Sequence, residues 1–245
     1  MVKVEVLDGS AKNWKGDALL IPMQEEDCKK CAVASPYDEY VKTLVKRKDF
    51  EGKKDSLVKV PLFDGDVRNL YLAGLGKSED CSSATLRDVL TAALRKIGRE
   101  RNKSVLLLSG KAGSEADVIL GEAAGLCGYA FDKYKKKDDK NDAGFSLEEI
   151  RALKFDEKKI SLGRIFADAQ CFARDLANEP GNVVNPASLA DIALRFAKEH
   201  DLTCEVWDEK KLEQEKMGAL LPRKRWDVRL DIQGEERLIT LQRHD

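Results

Sequence analysis

Apolar residues recur along this chain with two periods, and the switches between them mark its elements. At the N-terminus Val2, Val4 and Val6 alternate with polar residues, the period of a half-buried strand. "DALLIP" (Asp17 to Pro22) is a short continuous apolar run that predicts an inner strand. "LVKVPLF" and "NLYLAGLG" flank the Asp64-Gly65 pair and predict two strands joined by a hairpin. The period then lengthens: Leu86, Val89, Leu90, Ala93, Leu94 and Ile97 recur at helical spacing, with Ser83 or Thr85 available as the N-cap. "SVLLLSG" (Ser104 to Gly110) reads as a buried strand, and Ser114 opens a helix through "EADVILGEAAGLCGYAFDKY".

"KFDEKKIS" reads as a further strand entering a long helix, in which Leu162, Ile165, Phe166, Ala169, Ala173 and Leu176 mark one apolar face. That helix must stop near Glu179, because Pro180 disfavours helical geometry in the residue before it. Asn185 is placed to cap the next helix and Pro186 to start it, where a missing N–H costs nothing. Leu189, Ile192, Ala193, Phe196 and Ala197 form its apolar face. "LTCEVWD" then predicts a strand and "EKKLEQEKMGALL" a helix. Strands alternating with helices predict a three-layer α/β fold, with a second βα alternation beginning after Pro186.

Composition narrows the class of protein. The 245 residues suffice for one large or two small domains, and 42% of them are hydrophobic, as in globular proteins. Charged residues reach 36%, yet the signs cancel to a net charge of -1, so no global field favours nucleic acid or a membrane surface. No apolar run approaches the roughly 20 residues that span a bilayer. "MVKVEVLDGS" has no signal-peptide core, and a cytoplasmic location is expected. The charge run "KYKKKDDKND" (Lys133 to Asp142) reads as a solvated loop of mixed sign.

Candidate chemistry is sparse. Of six cysteines only Cys28 and Cys31 form a CxxC, which without a second pair or nearby histidines reads as a loop or helix start. His200 falls at a helix C-terminus, where a cation suits the dipole, and His244 is the penultimate residue. "AGLGKSED" has the glycines of a phosphate-cradling loop but also those of a plain strand-to-helix turn, the reading its short spacing favours. Asp17 is a strand-end residue of a kind that can contact a nucleobase or close a turn. No cluster has the spacing of a metal site. From these residues alone the chain is an α/β protein without visible catalytic machinery.

Longer stretches carry a resemblance. "ARDLANEPGNVVNPASLADIALRFAKEHDLTCEVWDEKKLEQEKMGALL" (Ala173 to Leu221) resembles the start of the catalytic half of the leucyl aminopeptidases, the cytosol aminopeptidase family M17. Its Arg-Asp-Leu, Asn-x-Pro-x-Asn, Asn-Pro and Met-Gly-Ala-Leu-Leu elements stand in that family's order. "LYLAGLGKSEDCSSATLRDVLTAAL" and "GEAAGLCGYAFDKYKKK" are similar to segments of its N-terminal domain. The resemblance implies a macrodomain-like N-terminal domain over residues 1–158, an interdomain helix over 159–179 and the start of a catalytic domain over 180–221.

In that family two divalent ions, zinc or manganese, activate a bridging water that attacks the peptide carbonyl. The segments supplying their ligands, Gly-Lys-Gly...Phe-Asp-Thr-Gly-Gly and Asn-Thr-Asp-Ala-Glu-Gly-Arg, do not occur in this sequence. The resemblance therefore assigns no catalytic, cofactor-binding or metal-binding residue to this chain. Residues 222–245, "PRKRWDVRLDIQGEERLITLQRHD", depart from the family's Gly-Ser and Pro-Pro-Arg continuation and are expected to be a non-family tail, as a frameshift or shortened reading frame would leave, the rival explanation being a natural short paralogue with its own tail. The expected role is structural, in a homo-oligomer (a hexamer in the full-length family), with nucleotide or DNA binding as alternatives. ADP-ribose is the nucleotide that macrodomain relatives bind.

Overall fold

The run "DALLIP" lies in the middle of a six-stranded sheet. The computed structural model describes residues 2–7, 14–30, 37–63, 66–108, 115–135, 144–153, 155–218, 226–232 and 235–241. They fall into two compact units, Met1–Phe172 and Ala173–Asp245. In the first, β2 (Gly16–Met23) pairs in parallel with β4 (Val67–Gly74) on one side and β5 (Ser104–Leu107) on the other. Beyond β5 lie β6 (Glu149–Leu153) and β1 (Lys3–Leu7), both parallel, and beyond β4 lies β3 (Leu57–Pro61), antiparallel. Strands covered on both faces read as continuous apolar runs. Ala18 to Ile21 are accordingly buried.

Helices cover both faces. Ala18, Leu20, Tyr71, Ala73, Val105, Leu107 and Ile150 pack against α3 (Ser83–Arg99) and α4 (Ala116–Leu126). Leu19, Ile21, Leu70, Leu72 and Leu106 face the other way, with Cys28 of α1 (Glu25–Lys30) and Val41 of α2 (Asp38–Lys46). The expected three-layer α/β architecture is present, and the hairpin partners β3 and β4 pair as the pattern predicts.

Several boundaries differ from the sequence reading. The cap of α3 is Ser82, whose hydroxyl accepts the N–H of Thr85 at 3.2 Å, so Ser83 is already helical and Thr85 is the residue being capped. Helix α4 ends at Leu126, well short of Tyr134; the predicted start at Ser114 lies outside the described residues. The strand predicted in "KFDEKKIS" sits earlier, as β6, with Ile150 and Ala152 buried. Asp156 is the reason: its carboxylate accepts the N–H of Lys158 at 2.9 Å and of Lys159 at 3.4 Å, which starts α5 (Glu157–Asn178) inside that stretch.

The packed face of α5 also differs. Ile160, Gly163 and Ala167 are buried, whereas Leu162, Ile165 and Phe166 are 44%, 63% and 49% exposed. Close approach to α4 selects the small residues. A Cβ on Gly163 would overlap the Val118 carbonyl oxygen, and one on Gly121 would overlap that of Ile160. Further along the crossing, Gly125 meets the Ala167 side chain. The helices touch backbone to backbone, which bulky side chains forbid.

The second unit contains α6 (Pro186–Glu199), β7 (Thr203–Trp207), α7 (Glu209–Gln214), β8 (Trp226–Ile232) and β9 (Glu235–Leu241). Pro180 accepts the N–H groups of Val183 and Val184 at 2.8 and 3.0 Å, which closes the turn after α5. Asn185 caps α6 as predicted: its side chain accepts the Ser188 N–H at 3.1 Å, and Ser188 accepts the Asn185 N–H at 2.9 Å. Helix α7 is shorter than "EKKLEQEKMGALL" because Lys216 takes a left-handed conformation, φ 57°, that ends it. Strands β7, β8 and β9 form an antiparallel sheet in that order, with α6 packed on β7 and β8.

Candidate functional site

In open parallel sheets ligands bind beyond the carboxyl ends of the strands, where neighbouring strands send their helices to opposite faces. Strands β2 and β5 are such neighbours, since α1 and α4 lie on opposite faces of the sheet. The loop "AGLGK" follows β4 at this edge, and its backbone is already engaged. Gly74 donates to the Ser56 carbonyl at 2.8 Å, Leu75 to that of Met23 at 2.9 Å and Gly76 to that of Gly52 at 2.8 Å. The Ser78 N–H donates to the Glu26 carboxylate at 3.0 Å. Backbone N–H groups, its own and that of Ser78, hold Glu26 below the usual carboxylate range. Gly76 has φ +81° and a Cβ on Gly74 would overlap the Lys53 carbonyl, so the glycines serve a tight turn. A phosphate would also meet Glu25, Glu26 and Asp27 in the first turn of α1. The plain-turn reading of these glycines accounts for the geometry.

Asp17 lies at the opposite end of the sheet, where the chain enters β2. Its Oδ2 accepts the N–H groups of Lys103 at 2.7 Å and Ser104 at 3.3 Å, and its Oδ1 faces the Arg68 guanidinium at 3.3 Å. The Asp17 N–H donates to the Ser104 hydroxyl at 3.1 Å. This carboxylate holds the start of β5 against β2 and is not presented to a nucleobase.

Cys28 is buried among Leu19, Ile21 and Met23 in the core, and Cys31 lies outside the described residues. His200 caps the C-terminus of α6, donating its N–H to the Phe196 carbonyl at 3.1 Å, with the two rings 4.3 Å apart. His244 lies outside the described residues.

The sequence reading missed one polar cluster. Asn102, 3% exposed, donates from Nδ2 to the Ile97 carbonyl at 2.9 Å and to the Tyr71 hydroxyl at 3.1 Å. Its Oδ1 accepts from the Asn69 amide at 3.0 Å. Tyr71 in turn donates to Glu100 at 2.8 Å, and Glu100 also binds Lys59 at 2.8 Å and Lys96 at 3.0 Å. Burial, reinforced by Glu100, pushes the Tyr71 hydroxyl far above its usual range. For Glu100 burial opposes the charge, but hydrogen bonds from Lys59, Tyr71 and Lys96 outweigh it and hold the carboxyl at about 2. Every group here is satisfied by another, so the cluster ties α3 to β3, β4 and the start of β5. Isolated polar residues at element ends carry no periodic signal, which is why it was not legible.

A carboxylate with a depressed folded pKa stabilises fully above its ordinary pKa of 4.5 and loses that contribution as the pH falls toward 2. Glu100→Gln is expected to lower stability at pH 6 by about 2 kcal/mol after allowance for solvent screening, and by little near pH 2. Urea unfolding at both pH values measures the difference; an equal loss at each would contradict the assignment.

No group of three or more His, Cys, Asp or Glu side chains converges among the described residues in a way that could hold a metal ion. The described residues do not fit a two-metal centre. Among the described residues no helix is long and apolar enough to cross a membrane.

Fold and site together define a class: an α/β domain whose glycine loop is a structural turn, followed by the opening elements of a second α/β domain. The family model of the cytosol aminopeptidase family, N-terminal domain, matches residues 21–138, and that of the same family's catalytic domain matches 171–223. A probable cytosol aminopeptidase of Aquifex aeolicus (strain VF5) is 34% identical over 223 residues, covering 89% of this chain and 45% of the relative. One from Alkaliphilus oremlandii (strain OhILAs) is 28% identical over 236 residues, covering 90% and 47%. Among solved structures, the K354E mutant of tomato leucine aminopeptidase aligns with a TM-score of 0.73 at 21% identity, over 94% of this chain and 50% of that one. The bottromycin maturation enzyme BotP in complex with Mn aligns with a TM-score of 0.64 at 22% identity, over 88% and 45%.

The chain belongs to the cytosol aminopeptidase family, peptidase family M17. It comprises the N-terminal domain and the start of the catalytic domain, and spans about half the length of the curated relatives it matches.

Proposed function

We propose that this chain is the non-catalytic, macrodomain-like portion of a leucyl aminopeptidase and supplies subunit contacts, with peptide hydrolysis carried by residues beyond those present here. The observation that carries the reading is the position of the second family match, which covers only residues 171–223. In the whole protein two divalent ions, zinc or manganese, would activate the water that removes an N-terminal residue from a peptide. That BotP, which shares the fold, was solved in complex with Mn supports a divalent metal in the whole protein. A cytoplasmic location accords with relatives described as cytosol aminopeptidases.

The chain alone is expected to show no turnover of leucine p-nitroanilide in the presence of manganese or zinc. Release of nitroaniline by the purified chain, abolished by a chelator, would overturn this reading.

Self-association is expected through residues 160–221. On α5 the exposed Leu162, Ile165 and Phe166 line up at i, i+3 and i+4, an apolar stripe of the kind that marks protein contacts. Light scattering should give a mass of at least two chains that falls on Ile165→Glu. A single-chain mass at high concentration would count against the oligomer.

A further inference from the structure

Strand β1 is an edge of the six-stranded sheet: it pairs with β6 on one side and, among the described residues, with no strand on the other. The opposite edge strand, β3, ends in Pro61, which has no N–H to offer a further strand. From Val2 to Leu7 the β1 sequence contains neither proline nor glycine, so it is not blunted in that way.

The pattern of β1 is complementary to its own reverse. "VKVEV" (Val2 to Val6) is centred on Val4, with a cation one step before it and an anion one step after. Laid antiparallel on a second copy about Val4, Lys3 stands opposite the copy's Glu5, Glu5 opposite its Lys3, and Val2 opposite its Val6. The backbone phase agrees with this register. The Lys3 N–H donates inward, to the Glu148 carbonyl at 2.8 Å. Successive residues of a strand turn their backbone groups to alternate sides, so those of Val4 and Val6 point out from the edge. Val4 then meets Val4 as a hydrogen-bonded pair. Lys3 meets Glu5 as a non-hydrogen-bonded pair, the kind whose side chains approach most closely.

The charges of the next strand extend the match. Val4 and Val6 pack toward α3 and α4, which leaves Lys3 and Glu5 on the other face of the sheet. There Lys3 is beside Glu149 of β6 and Glu5 beside Arg151, whose Nε lies 3.4 Å from the Glu5 carboxylate and 3.0 Å from that of Glu149. Two copies joined at β1 would carry Arg151, Glu5, Lys3 and Glu149 across four strands in alternating sign, with the reversed row beside it. Neither row sets like charges on adjacent strands.

We propose that the free edge of β1 pairs antiparallel with β1 of a second copy of this chain, about a two-fold axis at Val4. An edge lysine alone would repel a copy, and Glu5 two residues on turns that repulsion into attraction. The contact is isologous and small, so it responds to concentration. It uses a surface apart from the α5 stripe and does not rest on the association expected there.

Hydrogen exchange of the Val4 and Val6 amides, followed against concentration in the full chain, tests the pairing. Exchange should slow at least about tenfold from dilute to concentrated protein, and equally in Ile165→Glu. Lys3→Glu makes the edge wholly acidic and Glu5→Lys makes it wholly basic, so each variant alone should lose the slowing. An equal mixture of the two should regain it, because the acidic edge meets the basic one, whereas damage within each chain would persist on mixing. The pairing is refuted if exchange is the same at every concentration, or if the mixture exchanges as fast as the single variants. Slowing that vanishes in Ile165→Glu also refutes it, since the protection would then follow from α5. Should either charge variant not fold, the concentration dependence of the unaltered chain decides alone.

Discussion

Gly163→Ala is expected to lower the thermal midpoint of this chain by about 5–10 °C. Helix propensity alone predicts the opposite sign, since alanine is favoured over glycine in a helix interior by about 1 kcal/mol. Packing decides because the new Cβ would fall on the Val118 carbonyl oxygen, a backbone atom that cannot rotate away. The helices must part along the whole crossing, at about 2–3 kcal/mol net, which for a unit of this size converts to the stated shift. Gly121→Ala, against the Ile160 carbonyl, should behave alike. Gly144→Ala is the control, because among the described residues nothing lies within 4 Å of its Cβ position. Calorimetry of the three variants checks the prediction, and a midpoint raised by Gly163→Ala would show that α4 and α5 do not touch.

Asn102→Ala should be comparably damaging, at about 2–4 kcal/mol. The substitution removes the shortest of the donors to the Ile97 carbonyl, which keeps the N–H groups of Glu100 at 3.2 Å and residue 102 at 3.4 Å. It leaves the Asn69 amide only the Asp17 carbonyl at 3.5 Å, and takes from the Tyr71 hydroxyl one of its two partners. Asn102→Asp is the sharper probe. It has the same shape and keeps an acceptor for Asn69, but sets an oxygen against the Ile97 carbonyl in place of a donor. Its urea midpoint at pH 7 should fall at least as far as that of the alanine variant. A near-neutral Asn102→Asp would mean that the amide hydrogen bonds contribute nothing to stability.

Legibility from the sequence followed the size of the side chains that make each contact. The buried strands and α3 were readable because Leu19, Leu20, Leu90 and Leu94 are large, apolar and periodic. Asn185 and Pro186 were readable because capping is a local interaction spanning three residues. The docking face of α5 was not. Apolar periodicity points to Leu162, Ile165 and Phe166, while the contact is made through Gly163 and Ala167, residues that a hydrophobic pattern hardly counts. The same bias displaced the site candidates: Asp17 and the glycines of "AGLGK" drew attention by residue type, and only the hydrogen-bond partners reveal that both are engaged in the fold. The family resemblance supplied what pattern could not, because it rests on the order of many short segments.

The glycine crossing also keys α5 in rotation. A helix seated backbone to backbone at Gly163 cannot turn about its axis without driving a side chain into α4, so the direction in which Leu162, Ile165 and Phe166 point is set by two hydrogen atoms. One residue inserted after Ala169 would turn everything downstream by about 100° and carry Phe172 out of line with that stripe. An insertion of seven residues would nearly restore it. The length of this helix is thus under a constraint that its composition does not betray.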